Sequence, residues 1–448
     1  MAEDFLASAL AAEASSRAPH DPDYPLFHVA PPVGRLNDPN GLIEVGGTYH
    51  AFFQYTPEHP RKLVYWGHAT SRDLTRWDYH APAILPDTHQ DANGAYSGTA
   101  IEVGDHVELW YTGNYKDPET GEREATQCVV TSTDMEHFKK LVPPVIARQP
   151  EGYTAHFRDP QVWRDVDGSY RMLLGVQREN LTGAALLYRS SDLRTWECEG
   201  EMTFPDAGGA FDAFGYMWEC PNLLTLRDRA TGQDKDVLVI CPQGLEPVLA
   251  DGTTHYASSD QCGYLVGRLE GTVFHVERGF SELDYGHRFY APQLLERDGE
   301  ALMLGWMGLP AQDDTPTVAQ GWVHTLTLPR RVWLEAGELR QAPAWSLPSV
   351  PPEPAREGFG SVATLTAGEG TYALVDSSGA EAYRVTYGGG ELRLASGDDE
   401  RVVPCPAGDL ELIADGCAVE VFAGEGRIAA ASAVFGARDA RWRGWEAR

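Results

Sequence analysis

Hydrophobic and polar positions alternate along most of this chain in short runs broken by glycine. That pattern belongs to half-buried strands rather than helices. Five turns, Gly46-Gly47, Gly104-Asp105, Asp167-Gly168, the longer 227–235 turn around Gly232, and Asp298-Gly299, each separate two such runs. "GLIEV", "TAIEV", "QVWRDV", "NLLTL" and "PQLLER" precede them, and "TYHAFFQY", "HVELWYTG", "SYRMLLGV", "DVLVICPQ" and "ALMLGWMG" follow. Each pair is a predicted hairpin. From Gly46 through Gly104, Gly168 and Gly232 to Gly299 the steps are 58, 64, 64 and 67 residues.

A second pattern keeps the same beat. "SRDLTRW", "STDMEHF" and "SSDLRTW" share Ser-x-Asp-Leu/Met-x-x-aromatic, and their aspartates, Asp73, Asp134 and Asp192, are 61 and 58 residues apart. Hairpins and tails at one period predict four-stranded sheets repeated radially. The fold expected is therefore all-β, with a five-bladed β-propeller over residues 25–340. Evenly spaced hairpins in a β-sandwich are the competing arrangement.

The texture changes in the Pro-rich stretch "LRQAPAWSLPSVPPEPAREG", which reads as a linker at 341–357. Beyond it, "SVATLTA", "TYALVDS", "AYRVTYG", "ELRLASG" and "AVEVFAG" predict a small β-sandwich over 358–448. Residues 1–24 carry early acids and no continuous apolar stretch after a basic start, so they read as an amphipathic helical extension rather than a signal peptide.

A net charge of -30 argues against nucleic acid and anionic membrane surfaces as partners, because both are polyanions. It suits a small neutral ligand. Homo-oligomerisation is left open. Seven cysteines without CxxC pairs argue against a disulfide framework or structural zinc. They are expected to be reduced and mostly buried, in a cytoplasmic protein without metal or cofactor.

Against this period, Asp38-Pro39 falls just before the first strand of hairpin one, Ser97-Gly98 of two, Asp159-Pro160 of three, Glu219-Cys220-Pro221 of four and Ala291-Pro292 of five. In-phase positions of a propeller converge on its axis, so Asp38, Asp159 and Glu219 are expected at one mouth of the channel. The bland alternative is that each marks a turn. Crowded carboxylates split their proton affinities, the arrangement of acid–base work, and glycoside hydrolysis uses two of them. Trp66, Trp110, Trp218 and Trp306 near the motifs offer stacking faces for sugar, or core packing. Asn37, Gln54 and Arg158 offer hydrogen bonds to hydroxyls.

At these residues the sequence resembles glycoside hydrolase family 32, the group of invertases, fructanases and sucrose-6-phosphate hydrolases. "LNDPNG", "FFQYTP", "YWGHATSRDLTRW", "YSGTA", "RDP", "WECP", "FYAPQ", "GWMG", "LPRRVWLEAGELRQAP" and "ELIADGCAVEVFAGEG" follow the order of the family's blocks. The resemblance implies a five-bladed propeller followed by a β-sandwich. It implies Asp38 as a nucleophile forming a fructosyl–enzyme intermediate, Glu219 as general acid/base, and Asp159 as stabiliser of the transition state. Asn37, Gln54, Trp66, Ser97, Arg158, Cys220 and Tyr290 stand at substrate-contacting or site-tuning positions.

Two departures bear on the substrate. The segment "EHPRKLVYWGHA" puts Arg61 and Lys62 near the expected rim, where they are read as facing solvent rather than a phosphate, and "DYGHRFYAPQ" puts Arg288 where the family commonly has an acid. The expected activity is retaining hydrolysis of sucrose and short β-fructosides. A sucrose-6-phosphate hydrolase, with Arg61, Lys62, His287 and Arg288 as candidate phosphate contacts, is the alternative, as is a fructosyltransferase or fructanase using the same site. A non-catalytic sugar-binding propeller is disfavoured because all three carboxylates are present.

Overall fold

The structure is a computed structural model and describes residues 2–245, 249–250, 253–254, 260–312, 314–344, 362–437 and 439–445. A helix, Ala2–Ala14, opens the chain. Its Phe5 meets Tyr65 edge-on at 6.3 Å, and Glu13 accepts a 2.9 Å hydrogen bond from the Tyr55 hydroxyl.

Each predicted hairpin becomes half of a four-stranded sheet. Sheet I holds Gly34–Val45, Thr48–Thr56, Tyr65–Ser71 and Asp78–Ile84. Sheet II holds Ala95–Val103, His106–Lys116, Arg123–Ser132 and Lys139–Ile146. Sheet III holds Tyr153–Arg164, Tyr170–Arg178, Gly183–Ser190 and Glu197–Glu201. Sheet IV holds Met217–Arg227, Asp234–Gln243, Gly263–Glu270 and Val273–Glu282. Sheet V holds Tyr290–Arg297, Glu300–Trp306, Arg330–Glu335 and Glu338–Pro343. The first strand of each sheet packs on the first strand of the next, and that of sheet V returns to that of sheet I. A short late strand, Trp322–Val323, pairs in parallel with Gly34 and Arg35 and adds a fifth member to sheet I.

The recurring Ser-x-Asp tail is a turn between third and fourth strands. In sheet I the Ser71 hydroxyl accepts the Leu74 N–H at 2.8 Å, and one Asp73 oxygen accepts the N–H groups of Thr75 and Arg76 at 2.9 Å each. Ser132 with Asp134, and Ser190 with Asp192, repeat the arrangement. The hydrophobic residue between sits in the left-handed region, at φ 61 for Leu74, 60 for Met135 and 63 for Leu193. Left-handed backbone is costly for these side chains. Burial of all three and the side-chain hydrogen bonds offset that cost.

The lead-in motifs are not turns ahead of the first strands; they lie inside them, at bulges. Pairing is interrupted between Leu36 and Pro39, Ala95 and Gly98, Arg158 and Gln161, Glu219 and Asn222, and Tyr290 and Gln293. The expectation missed this because proline usually stands at a strand's start. A bulge tolerates it and re-aims the neighbouring side chain. Asp159, Cys220 and Ala291 accordingly have φ of 64, 46 and 47.

Residues 362–445 form two further sheets, one of four and one of five strands, enclosing a core that includes Val385, Leu394, Leu412 and Val421. The predicted linker starts too early. The last strand of sheet V runs to Pro343, tolerated at the end of an edge strand. Residues 345–361 of the linker, and the start of the predicted sandwich at 358, lie outside the described residues. All seven cysteines are free thiols and only Cys198 is exposed. No described helix is long and apolar enough to cross a membrane.

The two sheet systems meet over a buried ionic network. Asp415 accepts the N–H groups of Leu26 and Phe27 at 2.8 Å each and of His28 at 3.1 Å. Its carboxylate also binds His28 Nδ1 at 2.8 Å, while His28 Nε2 meets Glu420 at 3.1 Å. Arg330 bridges Asp284 at 2.8 Å and Glu420 at 2.6 Å, with all three side chains sealed from solvent. Two carboxylates on one imidazole outweigh its burial and push His28 up to about 9.

Candidate active site

The bulged first strands turn their side chains into one cleft of about 260 Å³, lined among others by Asn37, Asp38, Gln54, Arg158, Asp159, Glu219, Tyr290 and Trp306. Asp38 comes from sheet I, Arg158 and Asp159 from III, Glu219 from IV and Tyr290 from V. The five-fold phase of the sequence thus becomes a single site.

Asp38 is held by neutral donors. Ser97 Oγ donates to Oδ2 at 2.6 Å, Gln54 Nε2 to the same oxygen at 3.0 Å, and Asn37 Nδ2 to Oδ1 at 3.2 Å. Asn37 Nδ2 also donates to Gln54 Oε1 at 2.8 Å, which fixes the amide between its two partners. Burial pushes the Asp38 carboxyl above its usual range, and the nearby Glu219 adds to the rise; the Ser97 hydroxyl pulls the other way.

Glu219 is held by stronger donors. Arg158 Nη2 reaches Oε1 at 2.6 Å and the Tyr290 hydroxyl donates to Oε2 at 2.7 Å. Asp159 is 6 % exposed. It accepts the Cys220 N–H at 2.9 Å and lies 3.9 Å from Arg158 Nε, so Arg158 lies against both carboxylates. Burial outweighs Arg158 and pushes Asp159 up to about 7. The two carboxylates overcome burial at Arg158 and hold its proton more firmly than usual. Arg158 Nη1 lies 2.7 Å from His156 Nδ1, and burial together with Arg158 pushes His156 down to about 4. His156 is therefore the neutral acceptor.

Cys220 ties the three carboxylates together. It follows Glu219 in the chain, its N–H binds Asp159, and its sulfur lies 3.8 Å from Asp38 Oδ2. Burial keeps the sulfur a thiol, able to donate.

Nine of the ten expected residues converge: Asn37, Asp38, Gln54, Ser97, Arg158, Asp159, Glu219, Cys220 and Tyr290. Trp66 does not line the cleft. It is wholly buried in the core between sheets I and II, and its indole N–H donates to the Tyr96 carbonyl at 3.0 Å, so it props the cleft wall rather than facing a ligand. The large indole fills the gap between sheets, which outweighs its use as a platform. Trp306 lines the cleft instead.

The candidate phosphate contacts do not line the cleft either. Arg61 is exposed and pairs with Glu58 at 2.6 Å. His287 binds Ser432 at 2.9 Å and Arg288 lies over Phe435 at 5.4 Å, both against the C-terminal sheets. The cleft's other cations are Arg35 and Arg123. Arg35 and Tyr96 were within reach of sequence reasoning, because each neighbours a motif residue in a strand. Arg123 opens the third strand of sheet II, away from every motif, and carried no signal.

The model of the glycosyl hydrolases family 32 N-terminal domain matches residues 28–343. A sucrose-6-phosphate hydrolase of Bacillus subtilis is 45% identical over 328 residues, covering 72% of this chain and 65% of that relative. One from Escherichia coli is 34% identical and covers 92% of this chain and 89% of its own. Among solved structures, a Bombyx mori GH32 beta-fructofuranosidase superposes with a TM-score of 0.82 at 29% identity, over 99% of this chain and 95% of that one. The sucrose-6-phosphate hydrolase of Lactobacillus gasseri does so with 0.80 at 28% identity, over 99% and 95%. With the family match spanning more than half its length and falling on the strands that build the cleft, this chain belongs to glycosyl hydrolase family 32.

Proposed function

We propose that the protein is a retaining β-fructofuranosidase that cleaves sucrose and short β-fructosides. The carrying observation is the convergence of Asp38, Asp159 and Glu219 from three sheets, one among neutral donors and one between a guanidinium and a phenol. Asp38 attacks the anomeric carbon of the fructosyl unit while Glu219 gives a proton to the glycosidic oxygen. The C–O bond to the leaving sugar breaks and an ester to Asp38 forms. Glu219, now a carboxylate, takes a proton from water, and that water cleaves the ester with net retention. Asp159 accepts hydrogen bonds from fructosyl hydroxyls and stabilises the positive charge of the transition state. Gln54 and Ser97 keep Asp38 Oδ2 hydrogen-bonded, which leaves Oδ1, beside Asn37, to attack.

The same reading takes residues 25–340 as a five-bladed propeller, 358–448 as a sandwich that packs on it, and 1–24 as a helical extension, in a cytoplasmic enzyme. The relatives named as sucrose-6-phosphate hydrolases make phosphorylated sucrose the second candidate substrate.

Product analysis tests the reading. Purified protein incubated with sucrose is expected to release equal fructose and glucose. Asp38→Asn and Glu219→Gln are each expected to lower the rate at least about 10³-fold with unchanged circular dichroism. Variants that keep the wild-type rate would refute the roles.

A further inference from the structure

The first strand of each sheet lies at an edge, and the late strand Trp322–Val323 covers only Gly34 and Arg35 of that edge in sheet I. Backbone N–H and C=O groups along a buried edge still need hydrogen bonds. Five side chains supply them, one from each sheet: Asn40, Thr99, Gln161, Asn222 and Gln293, none more than 8 % exposed. They stand two residues after Asp38, Ser97, Asp159, Cys220 and Ala291, where pairing resumes beyond each bulge.

Each of the five reaches the backbone of the next sheet. Asn40 Oδ1 accepts the Gly98 N–H at 3.2 Å. Thr99 Oγ1 donates to the Pro160 carbonyl at 2.9 Å and accepts the Val162 N–H at 3.2 Å. Gln161 takes both backbone groups of Leu223, its Nε2 donating to the carbonyl at 2.9 Å and its Oε1 accepting the N–H at 2.6 Å. Asn222 Nδ2 donates to the Pro292 carbonyl at 3.1 Å, and its Oδ1 accepts Gln293 Nε2 at 3.0 Å. Gln293 Oε1 accepts the Gly41 N–H at 3.2 Å, which brings the circuit back to sheet I. The circuit lies against the site: Asn40, Thr99, Asn222 and Gln293 line one small space with Asp159 and Cys220.

Apolar side chains would fill the same space with less desolvation. Apolar contacts have no direction, however, and a bulge releases its strand from the ladder bonds that fix register. Hydrogen bonds from sheet to sheet restore it. We propose that Asn40, Thr99, Gln161, Asn222 and Gln293 form a closed positioning circuit that fixes how far apart Asp38, Asp159 and Glu219 stand, and so sets the rate of the chemical step. This rests on the reading of the cleft as a fructosyl-transfer site. The five act through the strands that carry the carboxylates, not on the sugar. Thr99 is the most direct lever, because its hydroxyl grips the backbone just beyond Asp159, at Pro160 and Val162.

The test reads kcat and KM for sucrose in the full chain. Thr99→Val keeps the shape, removes the hydroxyl and is expected to lower kcat about 10- to 100-fold, the scale of a misplaced reacting group, with KM little changed. Thr99→Ser keeps the hydroxyl and restores most of the rate. In an Asp159→Asn background Thr99→Val is expected to cost little more, because its effect passes through that carboxylate. Gln293→Met tests the join between sheets V and I and is expected to lower kcat over the same range. Tyr383→Phe, which removes a buried 3.0 Å hydrogen bond with Ser432 in the C-terminal sheets, leaves kcat at its wild-type value and controls for loss of stability. A Thr99→Val enzyme with wild-type kcat, or with its full effect in the Asp159→Asn background, overturns the proposal while the fructosyl reading stands. So does a Thr99→Ser enzyme no faster than Thr99→Val, or unfolding of both Thr99→Val and Gln293→Met, which would make the circuit a requirement of the fold alone. A wild type that releases no fructose overturns the fructosyl reading, and the positioning role with it.

Discussion

Replacing Asp159 by asparagine sets stability against activity. The carboxyl is 6 % exposed, and burial lifts it from 3.8 to about 7 despite the adjacent Arg158. A group raised on folding binds its proton better in the folded chain. The folded state therefore loses stability as pH rises through the interval between the two values, from about 4 to about 7, and gains nothing back above it. At about 1.4 kcal/mol per pH unit, the full cost of holding the ionised carboxylate is about 4 kcal/mol. Asparagine keeps an oxygen for the Cys220 N–H and carries no charge to desolvate. Urea denaturation at pH 8 is thus expected to show Asp159→Asn more stable than the wild type, by up to about 4 kcal/mol. At pH 5 the gap shrinks to about 2 kcal/mol, because the folded wild type has taken up its proton while the unfolded chain remains largely ionised. Sucrose hydrolysis by the same variant falls at least about 10²-fold, since a neutral amide stabilises an oxocarbenium-like charge poorly. A variant no more stable than the wild type at pH 8, or a gap that does not narrow toward pH 5, would show that Asp159 is not held at this cost.

Further outcomes follow from the same geometry. Ser97→Ala removes the hydroxyl that pulls Asp38 down, so the acidic limb of the kcat/KM profile for sucrose moves to higher pH. Tyr290→Phe deletes a 2.7 Å donor to Glu219 and is expected to lower kcat about 10- to 100-fold, read in steady-state assays with the fold checked by near-ultraviolet circular dichroism. His28→Asn strips the shared cation from Asp415 and Glu420, a loss of about 3 to 5 kcal/mol in denaturant titrations near pH 6. Because His28 is raised to about 9, its contribution is complete below about pH 6.5 and lost as pH rises through about 9. The wild type therefore loses stability over that interval and the variant does not.

The period of the hairpins was legible because each turn has its own chemistry, with glycine or Asp-Gly at the crossing and a strand on either side. The carboxylates were legible because Asp38, Asp159 and Glu219 share one phase of that period. Other features depend on contacts between distant segments. Trp66 looks like a sugar platform until the neighbouring sheet covers it. Arg61 looks like a rim residue until Glu58 pairs with it. The left-handed Leu74, Met135 and Leu193 were visible only as a repeated Ser-x-Asp-Leu/Met, whose hydrogen bonds explain why the pattern recurs. The ionic network around Arg330 joins residues from opposite ends of the chain, and no local pattern announces such a meeting.

The short pairing of Gly34 and Arg35 with Trp322 and Val323 has a consequence for how the protein is made. The strand that carries Asp38 leaves the ribosome well ahead of its outer partner, which follows 288 residues later. At about 5 to 20 residues per second, that is a wait of about 15 to 60 s. During synthesis the strand offers an unpaired edge, open to wrong partners. The strand of Asp38 is thus made long before it is secured, and shelter of the nascent chain matters most there.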